Sequence, residues 1–453
     1  MSNGQQPTCV ISVIVSQSIV MFSAESYYTT KSRRQTIVYR RINLRPVPVS
    51  WTLSYAIIRK QTMKVRFITF GCRLNKAEAL QMEAEHLAKG WELTESNSDA
   101  DRFVVRGCSV TARAQHECEK LIEHLKRHHP TTPLVVCGCI KRIGQARNPS
   151  NDTIDNRTDT LPMRTARAYL KVQDGCNGKC SFCIVPKFRG KSTSVPFSTA
   201  TDKARRFIDA GYHEIVITGC NLSLYASEGN HLAELVSAIA ELDAGCRVRI
   251  GSLEPFAGAS ETIHAMAEHE NICRFLHLPV QSGSAKILRA MNRPYSPHEI
   301  DTLINLAVKL MPGTGLGCDI ITGFPGETDI DFAASLGLLA RHPFNNIHAF
   351  PYSERPGTPA AMMPDAVHKS VRSARAHELS HLIKVKRQAF AKSFIGKTVE
   401  MVVEDAAEGS GWTQEYLRCK LVKSPASNQL VRKSIIKASV LRVHDDTLEG
   451  ILK

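Results

Sequence analysis

Three cysteines define the chemistry open to this 453-residue chain: Cys176, Cys180 and Cys183, spaced C-x3-C-x2-C within Gln173-Asp-Gly-Cys-Asn-Gly-Lys-Cys-Ser-Phe-Cys183. Three thiolates on one tight loop can hold three irons of a [4Fe–4S] cluster and leave the fourth iron open to a ligand. A closed structural zinc site wants a fourth protein ligand, and residues 184–193 contain no Cys, His, Asp or Glu. A disulfide would strand one thiol and requires an oxidising compartment. The loop therefore predicts an open iron–sulfur cluster.

Three further cysteines, Cys72, Cys108 and Cys139, each follow a glycine just past a strand-like run. Met63–Phe70, Arg102–Val105 and Leu134–Val136 read as strands, with helices over Lys76–Lys89 and Thr111–His128 from their apolar period. Strands alternating with helices predict a parallel sheet, whose strand C-termini share one edge, where ligands bind. A single such cysteine is ordinarily a small buried residue. Three in the same register suit a metal or cluster, with Cys137 competing with Cys139 for the third place.

Downstream, strands are legible at Ala168–Val172, Glu214–Thr218, Arg247–Ile250, Phe275–Leu278, Cys318–Ile321 and Ile347–Phe350. Helices read at Thr199–Ala210, Leu232–Leu242, Pro297–Leu310 and Asp329–Arg341. Six such strands suffice for an open, partial (β/α)6 barrel carrying its site at the strand C-termini. The turn Gly323-Phe-Pro-Gly-Glu327 lies at that end but lacks the Lys-Ser/Thr pair of a phosphate loop.

Composition narrows the class. The chain is 43% hydrophobic and 22% charged, as ordinary globular proteins are. Fourteen cysteines fall far below a disulfide scaffold's share of about 8–10%. No clean run of about 18 apolar residues appears, which excludes a polytopic membrane protein. The net charge of +15 makes a polyanionic partner plausible, but Met1–Thr62 holds eight Lys/Arg against Glu25 alone. Residues 1–62 are expected to be an appendage or a mis-called start outside the working protein, with Met63 the true start. The apolar stretch Val10–Val20 has no Lys or Arg before it, which makes a poor secretory signal; a transit peptide is an alternative.

The cysteine loop, with Phe182 between its last two cysteines, resembles the radical S-adenosylmethionine superfamily. Cys183-Ile-Val-Pro, Arg189-Gly190, Glu214-Ile-Val-Ile-Thr-Gly219, Arg249-Ile-Gly-Ser-Leu-Glu-Pro255, Leu278-Pro-Val-Gln-Ser-Gly-Ser284 and Asp319-Ile-Ile-Thr-Gly-Phe-Pro-Gly-Glu327 narrow the resemblance to its methylthiotransferases, over about Met63 to Lys453. It implies an N-terminal parallel α/β domain, a central partial (β/α)6 radical SAM barrel and a small C-terminal β-barrel resembling the TRAM domain. It also implies two [4Fe–4S] clusters, one on Cys176, Cys180 and Cys183, the other on Cys72, Cys108 and Cys139, with Cys139 preferred over Cys137. In the family, one S-adenosylmethionine methylates sulfur on the second cluster and another yields a 5′-deoxyadenosyl radical that removes an unactivated hydrogen. Phe182, Gly219, Glu254, Gly323 and Pro325 are the expected S-adenosylmethionine contacts.

Within the family, Cys108-Ser-Val-Thr111-Ala-Arg resembles the branch acting on N6-threonylcarbamoyladenosine at position 37 of tRNA. The alternatives are the isopentenyladenosine branch, the ribosomal-protein aspartate branch, and a tRNA-binding relic with no methylthio transfer. The resemblance further implies a cytoplasmic enzyme with tRNA, an electron donor such as flavodoxin or ferredoxin, and a sulfur source as partners, and no membrane. Arg106-Gly107 stands where the family usually has Asn-Thr, and Thr193 where a basic residue usually follows Arg-Gly. Only 36 residues separate Cys139 from Cys176, fewer than is typical.

The expected organisation is an extension 1–62, a shortened N-terminal domain 63–146, a linker 147–167, a radical SAM barrel with a connecting helix 168–394, and a TRAM-like domain 395–453. Ala366–Lys392 reads as a helix with seven Lys/Arg against Glu378, a candidate phosphate-contacting face. Residues 395–453 are nearly neutral, with nine Lys/Arg and eight Asp/Glu. Their strand-like runs are 396–403, 415–421, 430–432 and 447–452.

Overall fold

The computed structural model describes residues 9–15, 18–24, 62–142, 164–256, 258–422 and 430–453. Most of the expected extension and positions 147–163 of the expected linker lie outside them. The chain divides into two units at Lys60/Gln61, and in the first the strands Cys9–Val15 and Ser18–Ala24 pair antiparallel. Everything that concerns the cysteine loops lies in the second unit, Gln61–Lys453.

That unit begins with a four-stranded parallel sheet. Its order is the short strand Glu92–Leu93, then β1 (Lys64–Thr69), β2 (Arg102–Gly107) and β3 (Leu134–Gly138). Helix α1 (Arg73–Ala88) starts directly after Cys72, three residues before the apolar pattern predicts. Helix α2 (Ala112–His128) is capped by Thr111, whose hydroxyl accepts from the Ala114 N–H at 3.2 Å. It packs through Cys118, Leu121, Ile122 and Leu125, an i, i+3, i+4, i+7 face.

Six parallel strands follow in chain order as two triplets. The first is β4 (Ala168–Lys171), β5 (Glu214–Thr218) and β6 (Arg247–Ile250). The second is β7 (Phe275–Gln281), β8 (Gly315–Thr322) and β9 (Phe344–Pro351). A Val248–Ile272 bridge and the Cys273 N–H donated to the Val248 carbonyl at 2.8 Å join the triplets. β7 is buried throughout, as a strand covered on both faces must be. The outer layer contains α3 (Phe197–Asp209), α4 (Leu232–Ala240), α5 (Ala259–Glu268), α6 (Pro297–Leu310) and α7 (Asp329–Arg341). Helix α5 falls between β6 and β7, and its buried Ala259, Thr262, Ile263 and Met266 carry the helical period.

The C-terminal segment closes into a five-stranded barrel: β10 (Thr398–Asp405), β11 (Ser410–Thr413), β12 (Arg418–Leu421), β13 (Ile435–His444) and β14 (Thr447–Leu452), in the order β10-β11-β12-β14-β13. No strand forms at 430–432. Lys433 takes a left-handed φ of 79°, and the strand starts beyond it at Ile435.

Helix α8 (Lys369–Lys392) connects the two barrels, and here the charge expectation is corrected. Arg372 and Arg375 are buried, bound to Glu354 and to Glu327 and Asp329, so they cannot meet phosphates. Arg387 pairs with Asp446. Their hydrocarbon stems and ion pairs instead fix the helix to its neighbours.

The small barrel is tied to the parallel sheet by buried charge. Alternation along β6 puts Arg247 and Arg249 on one face. Arg249 donates to the carbonyls of Thr413 (2.8 Å) and Gln414 (3.1 Å), and Arg247 to those of Glu400 (3.1 Å) and Trp412 (3.2 Å). Glu214, fully buried on β5, pairs with both arginines. Burial works against its charge, but Arg249, Arg247 and Arg167 prevail and lower its carboxyl to about 2. Glu214→Ala leaves those cations uncompensated in a dry site. It is expected to cost about 3–5 kcal/mol, measured as reduced stability in denaturant or thermal unfolding; an unchanged midpoint would contradict this account.

Candidate active site between two cysteine loops

The loop Gly175–Cys183 is shaped by its backbone before its cysteines. Gly175 has φ +68°, and a side chain there would strike the Lys191 carbonyl. Cys176 N–H donates to the Gly190 carbonyl at 3.0 Å, closing the loop on the short helix Val185–Arg189. A Cβ on Gly178 would sit 3.2 Å from the Cys176 sulfur and 3.8 Å from that of Cys180, so the chain passes tightly against both. The three thiols are free, and burial pushes Cys183 up to about 12, with Cys180 and Cys176 adding to it.

Donors surround these sulfurs. The Gly178 N–H lies 3.3 Å from Cys176, Asn221 Nδ2 3.8 Å from Cys176, and Arg293 Nη1 3.2 Å from Cys180. A thiol that gives up its proton to a metal becomes an acceptor, and such donors suit thiolates bound to iron. The residues present therefore fit the cluster that the sequence implies.

The second set converges at the sheet edge. Cys72 precedes α1, Cys108 follows β2 and Cys139 opens a 3-10 turn after β3. Gly71 (φ +92°) has its Cβ position 2.9 Å from the Cys108 sulfur, so glycine is required for this approach. Burial raises the Cys108 thiol, and Cys139 and Cys72 raise it further, as closely spaced thiols do. Cys137 faces the other way, into a cluster with Val65 and Val104 and 3.7 Å from Arg106 Nη1. Of the two competitors, Cys139 is therefore the one beside Cys108.

A buried polar network holds the two sets in register. Asn75 Nδ2 donates to the Phe70 (2.8 Å) and Gly107 (3.2 Å) carbonyls, bracing both glycine–cysteine turns. Its Oδ1 accepts from Arg189 Nη2 at 2.8 Å. Arg189 Nη1 reaches Glu78 and Asp174, both at 3.0 Å. Glu78 is also met by Lys171 at 2.5 Å and by Arg106. Arg106, a departure in the sequence, is thus a partner of a buried carboxylate.

A cavity of ≈730 Å3 has walls that include Cys72, Cys108, Phe182, Gly219 and Asp319. Gly219 leaves no space for a side chain, with Gln173 Oε1 2.9 Å from its Cβ position. Phe182 packs against Ile287, Met291, Phe324 and Tyr352. Glu254, Gly323 and Pro325 are not on this wall. Glu254 pairs with Arg293, which also contacts Cys180. Gly323 donates its N–H to Glu327 at 2.6 Å and lies against Arg372, and Pro325 is buried beside it.

The chain is similar in sequence to known proteins. Residues 170–339 match the radical SAM superfamily, and residues 64–155 match an uncharacterized protein family designated UPF0004. The chain is 30% identical over 432 residues to the tRNA-2-methylthio-N(6)-dimethylallyladenosine synthase of Paracoccus denitrificans, covering 85% of this chain and 96% of that protein. The chain belongs to the radical S-adenosylmethionine methylthiotransferase family. It is also 29% identical over 435 residues to the threonylcarbamoyladenosine tRNA methylthiotransferase MtaB of Bacillus subtilis, covering 85% of this chain and 95% of that one. Among solved structures, the radical S-adenosylmethionine methyltransferase TsrM of Kitasatospora setae aligns with a TM-score of 0.47 at 12% identity, covering 67% of this chain and 77% of that one. As a member of this methylthiotransferase family, the protein is a transferase.

Several residues of the site escaped the sequence analysis. Arg293 and Asn221 carry no spacing signal. Tyr416 reaches the cavity from the C-terminal barrel, stacked on Trp412 at 4.6 Å, and only the closed fold brings it there. His277 and Asp319 share a face only through the register of their two strands, in which His277 lies opposite Gly317, two residues before Asp319.

The Glu78 network gives stability a definite pH sign. Burial opposes the charge on Glu78, but Arg189, Lys171 and Arg106 hold it well below the carboxylate range; Asp174 is likewise lowered to about 2. Carboxyls depressed on folding stabilise above their unfolded pKa and lose that contribution as pH falls through the folded one. Thermal stability should hold down to about pH 5 and then decline steadily in acid. Glu78→Gln should lower it by about 3 kcal/mol at neutral pH and flatten the acid limb. An acid limb identical to that of the unsubstituted protein would contradict this.

Proposed function

We propose that the protein replaces the C2 hydrogen of N6-threonylcarbamoyladenosine, at position 37 of tRNA, with a methylthio group. The observation that carries this is the single cavity walled by Cys72 and Cys108 on one side and by Phe182, from the other cysteine loop, on another. On this reading Cys176, Cys180 and Cys183 hold one [4Fe–4S] cluster and Cys72, Cys108 and Cys139 a second. Phe182, Gly219, Glu254, Gly323 and Pro325 are assigned to S-adenosylmethionine. When bound, these groups supply a one-electron route to an unactivated C–H bond and the sulfur and methyl that replace its hydrogen.

The chain's own residues do the rest. Arg293 fixes the Cys180 sulfur and, through its ion pair, Glu254. Asn75 and Arg189 tie the Gly71 and Gly107 turns of one cysteine set to the segment that closes the other loop. Apolar walls such as Ile321 and Phe350 keep water from a reactive centre. The branch assignment rests on Cys108-Ser-Val-Thr111, and Val110, Thr111 and Ala114 line the cavity, where they would meet the substrate. The printed names of relatives from two tRNA-modifying branches support tRNA as the substrate class. Lys386 donates to the Ala340 carbonyl at 3.3 Å, and Lys369, Lys384 and Lys392 remain on α8 as candidate phosphate contacts. An electron donor such as flavodoxin or ferredoxin and a sulfur source complete the partners. No helix of the described residues is long and apolar enough to cross a membrane, and we assign the enzyme to the cytoplasm.

We also retain the domain division 63–146, 168–394 and 395–453, with the extension and linker outside it. Anaerobic reconstitution should give about eight irons per chain, from two clusters of four. The triple variant Cys72→Ala, Cys108→Ala, Cys139→Ala should keep about four. Deleting the gene should remove the 2-methylthio mark from threonylcarbamoyladenosine in tRNA digests. About four irons in the unsubstituted chain would instead support a single-cluster relic, and an unchanged nucleoside profile would exclude this substrate.

A further inference from the structure

The cavity contains a polar group that none of the roles above uses. His277 on β7, Asp319 on β8 and His348 on β9 come from three adjacent parallel strands, with Asp319 directly opposite His348 in the ladder. All three line the cavity. His277 Nε2 and His348 Nδ1 lie 3.2 and 3.1 Å from the same oxygen of Asp319, Oδ1. The site is built for this: a Cβ on Gly317 would lie 2.6 Å from His277 Nδ1, so only glycine leaves the ring its place.

Two chemistries fit two histidines and a carboxylate. Such a trio can hold a divalent metal, and the ligand atoms lie within 4.8 Å of one another. Here, however, both histidine nitrogens aim at one carboxylate oxygen at ordinary N–H···O distances, which needs no ion between them. Neither His277 Nδ1 nor His348 Nε2 is held by a described residue, whereas a metal-bound histidine normally donates its second nitrogen to a partner. The trio is better described as an oriented carboxylate. Oδ1 is fixed by two donors, while Oδ2 takes no hydrogen bond from any described residue, and the side chain keeps 27% of its surface exposed. Burial opposes ionisation of Asp319, yet the two histidines hold it well below the usual range, so it is an anion at working pH.

We infer that Asp319, clamped by His277 and His348, is the hydrogen-bond acceptor that reads the N–H on C6 of a flipped-out adenine. An anionic acceptor on a cavity wall selects a donor. Adenine and its N6-substituted forms carry an N–H at that position, whereas hypoxanthine carries an oxygen that two acceptors would oppose. A volume of ≈730 Å3 accommodates a nucleoside, and a base in an RNA stem-loop must leave its stack to reach the interior. The inference rests on RNA being the substrate and adds which edge of the base is recognised, and by what.

The test is a specificity exchange with the reconstituted full-length protein. Binding of two anticodon stem-loop RNAs, identical except for adenosine or inosine at the modified position, is measured at one salt concentration for the unsubstituted protein and for Asp319→Asn. The asparagine is isosteric. Its Oδ1 keeps both histidines, and its Nδ2 presents a donor where Oδ2 was an acceptor. The unsubstituted protein should prefer adenosine by about ten- to a hundredfold, and Asp319→Asn should lose or reverse that preference. Phosphate contacts are untouched, so the salt dependence of binding should stay the same, as should the iron content. A preference unaltered in Asp319→Asn overturns this inference alone. Failure of the unsubstituted protein to bind either RNA overturns the inference, and failure to bind a third stem-loop carrying N6-threonylcarbamoyladenosine overturns the substrate reading beneath it as well. A structural role for the trio would weaken both RNAs alike, without exchanging their order, and would also overturn the inference.

Discussion

A carboxylate removed from water must be met by cations or lose its charge, and Glu78 is met by three: Arg106, Lys171 and Arg189. These come from the N-terminal sheet, the first strand of the partial barrel and the segment that closes the Cys176 loop. One buried charge therefore ties together three pieces of chain that share no strand ladder. Asn75, one helical turn earlier on α1, adds the neutral half of the same link by bonding both glycine–cysteine turns and Arg189. Buried ion pairs of this kind contribute little net stability but penalise any misregistered arrangement heavily. Positional accuracy between two reactive loops is what this device provides.

The same principle recurs at the other end of the sheet. Glu214 gathers Arg247 and Arg249, whose remaining donors take backbone carbonyls from the C-terminal barrel. The barrel is thereby fixed with Tyr416 at the cavity, against Phe275 at 4.8 Å. A module that the sequence suggests as an RNA-binding appendage also furnishes part of the cavity wall. Its near-neutral charge is then less surprising, since several of its polar groups are directed inward. The connecting helix is similar: Arg372 and Arg375 stabilise the join and leave fewer cations for an RNA than the raw count implies.

Much of this was legible in the residues, for identifiable reasons. The three thiols of the Cys176 loop are local, so spacing alone revealed them. Cys72, Cys108 and Cys139 are distant in sequence but share a register after three strands, and the parallel-sheet rule brings such positions to one edge. Short, largely apolar runs located the six barrel strands, and the period of 3.6 located four of the outer helices. Helix α5 is harder to bound than the other four because its apolar face is diluted by threonine and alanine. The strand expected at 430–432 failed because a short apolar pair cannot outweigh the left-handed turn at Lys433. Arg293, Tyr416 and the acceptor role of Asp319 were illegible for a different reason. Their partners are set by the closure of the fold, at sequence separations that no local pattern spans.

The central claim is that one cavity, walled by Cys72 and Cys108 and by Phe182 of the Cys176 loop, lies beside two cysteine sets that each carry iron. Anomalous diffraction at the iron edge, from crystals of the anaerobically reconstituted protein, tests this most directly. The account predicts two iron-rich centres bordering that cavity, one against Cys176, Cys180 and Cys183 and the other against Cys72, Cys108 and Cys139. A single centre at the Cys176 loop, with Cys72, Cys108 and Cys139 bare of iron, would contradict it.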